Sequence, residues 1–406
     1  MSDVPDEPRP RLRPLEVFRT RVDGRDLVAL RDPTGITDHV ALLPPRLAMP
    51  LGFMDGSNSI SDIQAEVMRH AGQLLPLEHI TEMVRRLDEA LLLDSPSFRA
   101  YVAGIEQDFR SAVTRPAVHA GKSYPGDAKD LAAMLDGFFP AHSDHGAAPR
   151  GILAPHIDFH RGGRSYGHAY QPLRGVPAPD LFVVFGTDHN GGDYRFTLTR
   201  KDYDTPAGPL CTDGALVDEL CRRLGADGLF SDELHHRSEH SIEFQAVMIR
   251  HLFPGADVRL LPVLCGSMHR FIGDGTDPRR HADAEGFFTA LGESLRGRRV
   301  CFVAGADLAH VGPRFGDKQP LGDPDRGALR EADAHLLERA AAGDAGGFFS
   351  AIAGARDRHR VCGTSAIYAL LRMLDGATGR VVAYDQCPAD DDGGSLVSIG
   401  GVVFGV

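Results

Sequence analysis

From residue 119 onward, short apolar runs alternate with amphipathic helical stretches, and four of the segments close on a histidine. They read Ile152-Leu153-Ala154-Pro155-His156, Leu181-Phe182-Val183-Val184-Phe185-Gly186-Thr187-Asp188-His189, Arg237-Ser238-Glu239-His240 and Cys301-Phe302-Val303-Ala304-Gly305-Ala306-Asp307-Leu308-Ala309-His310. A fifth, Arg360-Val361-Cys362-Gly363, brings a thiol to a similar setting. Alternation of this kind argues for a three-layer α/β/α domain. In an open sheet of that class the carboxyl ends of the strands converge on one crevice. Imidazole, thiolate and carboxylate gathered there make a transition-metal site.

The same reading places strands over 151–154, 181–187, 258–264, 299–305, 381–384 and 397–404. Helices are expected over 130–139, 214–224, 240–252, 284–296, 325–341 and 362–374. The 240–252 helix has Ile242, Ala246, Ile249 and Leu252 spaced for one buried face. The stretches 141–150 and 386–394 read as polar loops.

The beginning of the chain differs in character. Residues 1–12 read as a disordered leader, 13–100 as a small α+β module of winged-helix type, 101–118 as a linker helix, and 119–406 as the metal domain. Within the module Leu27–Pro33 reads as a strand, Ser61 caps a helix over 63–70, and Pro76 opens a second with Ile80, Met83, Val84, Leu87 and Leu91 at helical spacing.

At 406 residues the chain is too long for one ordinary domain. Its net charge of −12 argues against a nucleic-acid or anionic-membrane surface. No apolar run approaches the ~20 residues of a membrane helix, and the leader lacks a signal-peptide core, so the expected location is cytoplasmic. Six cysteines without CxxC spacing are expected to stay reduced there. Cys362 stands apart, because a helix start at Gly363-Thr364-Ser365 would favour its thiolate.

Among the candidate site residues, Pro155 fixes His156 directly after a strand, since proline cannot extend a sheet ladder. Glycines after His189 allow close backbone approach to a ligand. Ser238 as cap and Glu239 in the first turn have a complete structural explanation, whereas His240 does not. At a helix start it stays neutral and is free to exchange a proton with a substrate. Asp307 and His310 stand three apart, so one helical turn would put both on one face. His160, His168, His235 and His236 are read as solvated or outside the first layer of the site.

Ala120-Gly121-Lys122-Ser123-Tyr124-Pro125, Ala154-Pro155-His156, Gly186-Thr187-Asp188-His189, Thr205-Pro206-Ala207-Gly208, Glu239-His240-Ser241-Ile242-Glu243, Asp307-Leu308-Ala309-His310 and Cys362-Gly363 occur in one order. From about Val118 to the carboxyl terminus the chain thereby resembles the Memo family, whose bacterial members are called AmmeMemoRadiSam system protein B. The resemblance implies a fold similar to class III extradiol dioxygenases, which are non-haem iron enzymes. It implies a metal held by His156, His189 and Cys362, with Asp307 and His310 beside it and His240 lining the pocket. Cys362 stands where those dioxygenases have a ligating glutamate, and a thiolate shifts preference from Fe(II) toward copper or zinc. Ile157-Asp158-Phe159 and Asn190 depart from the usual family pattern, and Asp158 is expected to add a carboxylate near the pocket. Leu30-Arg31-Asp32-Pro33, Leu42-Leu43-Pro44, Met54-Asp55-Gly56 and 87–94 resemble the small PqqD-like modules that capture leader segments of ribosomal peptides.

The expectation is therefore a metal-dependent, dioxygenase-like oxidoreductase with one transition-metal ion, Fe(II) or copper first and zinc next. His240, Asp307 and His310 would be its catalytic residues. It would act on a small molecule or peptide beside radical-SAM and AMMECR1-like partner proteins, with a peptide on the first module. The alternatives are a metal- or peptide-binding protein with a vestigial site, and a metal-dependent hydrolase.

Overall fold

A run such as Leu181-Phe182-Val183-Val184-Phe185 has no polar residue to turn outward, so a strand built from it has to be covered on both faces. The computed structural model, which describes residues 7–72, 74–141 and 148–405, covers it on both. Half of the expected leader (residues 1–6) and most of the 141–150 loop (residues 142–147) lie outside the described residues. The chain divides into two compact units, Met1–Ser111 and Ala112–Val406.

In the first unit, β1 (Glu16–Val22), β2 (Arg25–Arg31) and β3 (Val40–Leu43) form an antiparallel sheet in that order. Asp23 and Gly24, both at positive φ (50° and 74°), make the tight turn that a two-residue hairpin requires. Three helices follow: α1 (Ile60–Ala71), α2 (Leu77–Glu89) and α3 (Pro96–Ser111). Ser59, not Ser61, caps α1, in a capping box with Asp62. Leu30, Ile63, Ile80 and Leu92 lie at the centre of this unit's core. The helix expected over 101–118 is α3, displaced toward the amino terminus. Pro116 lacks an N–H and bars Arg115 from helical geometry, and Thr114–Arg115 instead pairs in parallel with Asp202–Tyr203.

The second unit is built on β4 (Gly151–Ala154), β5 (Leu181–Thr187), β6 (Phe196–Leu198), β7 (Cys211–Thr212), β8 (Arg259–Cys265), β9 (Val300–Gly305), β10 (His310–Val311), β11 (Gly379–Pro388) and β12 (Leu396–Phe404). The order is β10-β12-β4-β9-β5-β8-β6, with β11 beside β12 and β7 beside β8. Its centre, β4-β9-β5-β8, is parallel, so those four strands all end at the same edge. The helices are α4 (Ala128–Asp136), α5 (Phe159–Tyr170), α6 (Gly214–Leu224), α7 (His240–Leu252), α8 (Ala282–Ser294), α9 (Asp323–Ala341), α10 (Ala345–Gly354) and α11 (Thr364–Leu374), besides shorter turns. Alternate strand residues serve opposite cores. Phe182 and Val184 pack with α4, α5 and α7, while Leu181, Val183 and Phe185 pack with α6 and α8 to α11. This is the three-layer arrangement. Among the described residues no helix is long and apolar enough to cross a membrane.

Two helices escape sequence reading, α5 and α10, because glycines interrupt both. In α5 the glycines are a packing device. A Cβ on Gly167 would lie 2.0 Å from the Phe138 carbonyl oxygen, and one on Gly163 would lie 2.4 Å from the Phe138 ring. The helix therefore approaches that segment as no other residue would allow.

Near the start of the second unit Arg115 is fully buried and pairs with the equally buried Glu243 of α7. Its remaining donors reach the carbonyls of His236 (2.8 Å), Glu239 (2.9 Å) and Pro116 (2.8 Å). Glu243 also accepts from the Tyr124 hydroxyl and the His119 amide (3.1 Å). Removing one member of such a pair strands the other charge, which costs about 3–5 kcal/mol. Urea unfolding of Arg115→Met should show a loss of that size, and Arg115→Met with Glu243→Leu should recover much of it.

Candidate metal centre

Each side chain of the centre arrives on a different strand end or helix start. His156 follows β4, and Asp307, just past β9, accepts the amides of His156 (2.8 Å) and Ile157 (3.1 Å) on one oxygen. The His156 Nδ1–H donates to the Gly305 carbonyl at 3.0 Å. Its Nε2 is left with a lone pair, and Cys362 Sγ lies 3.3 Å from that atom. His189 follows β5. Its Nδ1–H donates to Glu239 at 3.0 Å and its amide donates to the same carboxylate at 3.1 Å. The His156, His189 and His240 rings stand 4.9–5.2 Å apart between centroids, with His189 and His240 stacked 15° from parallel. One donor atom from each of His156, His189 and Cys362 lies within 4.8 Å of the others.

Glu239 is the residue that sequence reading undervalued. It is the N-cap of α7, accepting from the Ser241 amide at 3.0 Å, which displaces Ser238 from the cap expected of it. The same buried carboxylate lies 3.2 Å from His240 Nδ1, so one acid orients two imidazoles. Its spacing next to His240 was the available signal, masked because a capping role already accounted for it. His119 was passed over too, yet its ring lies 5.9 Å from that of His240 and its Nε2–H donates to the Ser238 carbonyl.

Two expectations are corrected by the geometry, and two of the histidines read as solvated or outside the first layer are located. Asp307 and His310 share no helical turn: residues 306–309 are irregular and His310 opens β10. Asp307 instead holds the backbone at His156, with its second oxygen 3.6 Å from His156 Nε2, and the carboxylate beside His240 is Glu239. Asp158 caps α5 and pairs with Arg161 at 2.6 Å, so it serves the helix rather than the pocket. His236 is fully buried, accepting from the Tyr203 hydroxyl at 2.7 Å and donating to the Thr197 carbonyl at 3.0 Å. His235 pairs with Asp188 at 2.9 Å.

Protonation follows burial and charge. Burial, aided by the neighbouring His189 charge, pulls His156 down to about 3. Burial pulls His240 well below the usual histidine range and His310 below it as well. His189 goes the other way: burial would lower it, but the Glu239 carboxylate and the Cys362 side chain hold it well above. Burial raises the Cys362 thiol despite His189 beside it. The thiolate expected from the helix start is not favoured, because Gly363 rather than Cys362 is the N-cap of α11 and desolvation dominates. The donor set fits a borderline-to-soft ion: a buried imidazole lone pair, a second imidazole braced by a carboxylate, and a sulfur.

A sign for pH follows in the metal-free protein. His156, His236 (down to about 4), His240 and His310 are neutral in the fold and take up protons on unfolding near the usual ~6.5. The unfolded state binds more protons below that value, so stability falls as pH drops from 7 to 5. His189, held well above the usual range, and His235 and His269, also raised, oppose this only until the unfolded histidines themselves protonate near ~6.5. The raised carboxyls of Asp307 and of Asp333 (up to about 6) oppose it too. Urea midpoints across that range should decline toward acid, and His236→Asn should lessen the decline.

The comparisons with known proteins follow the same residues. The family model described as Memo-like protein matches residues 115–403. A MEMO1 family protein of Aquifex aeolicus is 29% identical over 93% of this chain and 96% of its own length. Another from Thermus thermophilus is 29% identical over 82% and 94%. A solved structure, an uncharacterized protein from Escherichia coli K12, aligns with a TM-score of 0.37 and 17% identity over 63% of this chain and 99% of that one. With a family match spanning most of the chain, and including every residue of the centre, this protein belongs to the Memo-like family.

Proposed function

We propose that the second unit is a metal-dependent enzyme, a dioxygenase-like non-haem oxidoreductase that holds one Fe(II) or copper ion at His156, His189 and Cys362. One observation carries the reading. Two imidazole nitrogens and a thiol sulfur stand within 4.8 Å of one another, and the second nitrogen of each imidazole is already committed, to Gly305 in one case and to Glu239 in the other. That is how metal-binding histidines are oriented and made basic. When bound, such an ion supplies Lewis acidity and a path for electrons between an electron-rich substrate and dioxygen.

The chain's own residues do the rest. Glu239 fixes the tautomers of His189 and His240. His240, held neutral by burial, is placed to accept a proton from a substrate hydroxyl. His310, also neutral and packed edge-on against Phe315 at 5.1 Å, is the second proton acceptor, and Asp307 keeps the His156 backbone in register. The partners proposed are radical-SAM and AMMECR1-like proteins, and a peptide bound by the first unit, both on the strength of family resemblance. The sulfur ligand supports one other reading, a site that retains zinc or copper without turning over.

The test is anaerobic purification, metal analysis, and oxygen uptake on a catechol panel. The expected result is one ion per chain and uptake on at least one substrate. His156→Ala and His189→Ala should each lose the ion, and Glu239→Gln should weaken affinity about 10–100-fold. Full metal content in both histidine variants would overturn the placement, and bound metal without uptake on any catechol would favour the non-catalytic reading.

A further inference from the structure

Three residues of the loop between α10 and α11 adopt left-handed backbone without being glycine. Arg356, Asp357 and Arg360 have φ of 52°, 46° and 54°. A side chain makes that conformation costly, and it persists only where the surroundings over-determine it. Six described non-glycine residues have positive φ, and half of them fall in this stretch of five. The loop runs directly into Cys362, which carries the sulfur of the centre.

Asp357 closes this loop on itself. Its side chain is 8% exposed, and one carboxyl oxygen accepts from the amide of buried Val361 at 2.8 Å. Its backbone carbonyl accepts from the Arg360 amide at 2.9 Å. The second carboxyl oxygen faces the exposed His269, 3.5 Å from Nε2. Beyond Cys362 another tie holds the chain: the Gly363 amide donates to the Asp307 carbonyl at 3.1 Å. A Cβ on Gly363 would lie 2.5 Å from that oxygen, so the approach needs glycine. Cys362 therefore stands between two fixed neighbours. The same loop offers the His359 carbonyl to the His310 amide at 2.8 Å, so one turn bears on the sulfur and on the backbone of His310.

We propose that Asp357 is a positioning residue of the metal centre: its carboxylate clamps the left-handed turn onto the Val361 amide, and so sets where the Cys362 sulfur and the His310 backbone stand. The inference rests on the proposed function only for what the sulfur does there. Without that acceptor the Val361 amide loses its partner, and the left-handed residues are released toward ordinary backbone. Asparagine keeps an acceptor oxygen and tolerates the same φ. Glycine tolerates that φ better still but brings no acceptor. The two replacements thereby separate the clamp from the strain.

Hydrogen–deuterium exchange over 358–363 and at the His310 amide, on the full metal-free chain, reads the clamp directly. Asp357→Ala and Asp357→Gly should exchange there ~10-fold faster, the effect of one lost hydrogen bond. Asp357→Asn should stay as protected as the wild type. Unchanged exchange in the alanine and glycine variants, equal acceleration throughout the second unit, or an asparagine variant as fast as alanine would each overturn the proposal. Cobalt(II) affinity, followed by its sulfur charge-transfer band, should fall ~10-fold in Asp357→Ala and Asp357→Gly and recover in Asp357→Asn. Equal affinity in all of them would break the link from this loop to the sulfur and overturn the positioning role. Cobalt binding to none of them, wild type included, would sink the metal reading and leave the exchange result to decide this one.

Discussion

The Arg115–Glu243 pair is buried on both sides, and the guanidinium's other donors hold the carbonyls of His236 and Glu239. The segment that turns into α7 is thereby fixed at both ends of its first turn. The carboxylate that sets the charge of His189 and His240 sits in that turn. Glu239 is placed to brace two imidazoles because its backbone carbonyl is held from behind, and the same turn sets His240 against that carboxylate. Arg115 and Glu243 stand 128 residues apart in sequence, on elements that reach the sheet independently. The ion pair thus ties entry into the second unit to the placement of its chemistry.

Around that turn the protein crowds histidines whose preferences differ. Glu239 carries the negative charge, His189 is the imidazole that shares it, and His156 and His240 are left uncharged. Three neighbouring imidazoles could not all be protonated without repulsion, and the carboxylate decides which one is. A divalent ion entering such a set would displace a proton from His189 or from the thiol, so binding there is coupled to pH.

The sheet was legible because β4, β5, β8 and β9 are apolar runs that admit little else, and histidines or aspartates announced the ends of β4, β5 and β9. His156, His189 and Cys362 could be grouped because two strand ends and a helix start share one edge of the sheet, and the family resemblance singled them out from the other histidines. The contacts that give those residues their properties were not legible. The partner of Arg115 lies on another element, and the contact of Asp307 with the His156 amide joins residues 151 apart. Glu239 was visible but read as a cap, because one residue served two ends at once. Helix α5 stayed hidden since glycine lowers helical propensity, and only the neighbouring backbone explains why the glycines are there.

That last feature bears on how far this sequence can drift. Asp158, which caps α5, is two residues from His156, so the helix and the ligand share one short stretch of chain. A single methyl group at Gly163 or Gly167 would drive α5 away from residues 138–139, and the shift would travel back along the cap to the imidazole. Positions that look like neutral spacers are in this way as constrained as the histidine, although neither touches it. An engineer enlarging the pocket would do better to leave that helix untouched and work from the opposite wall.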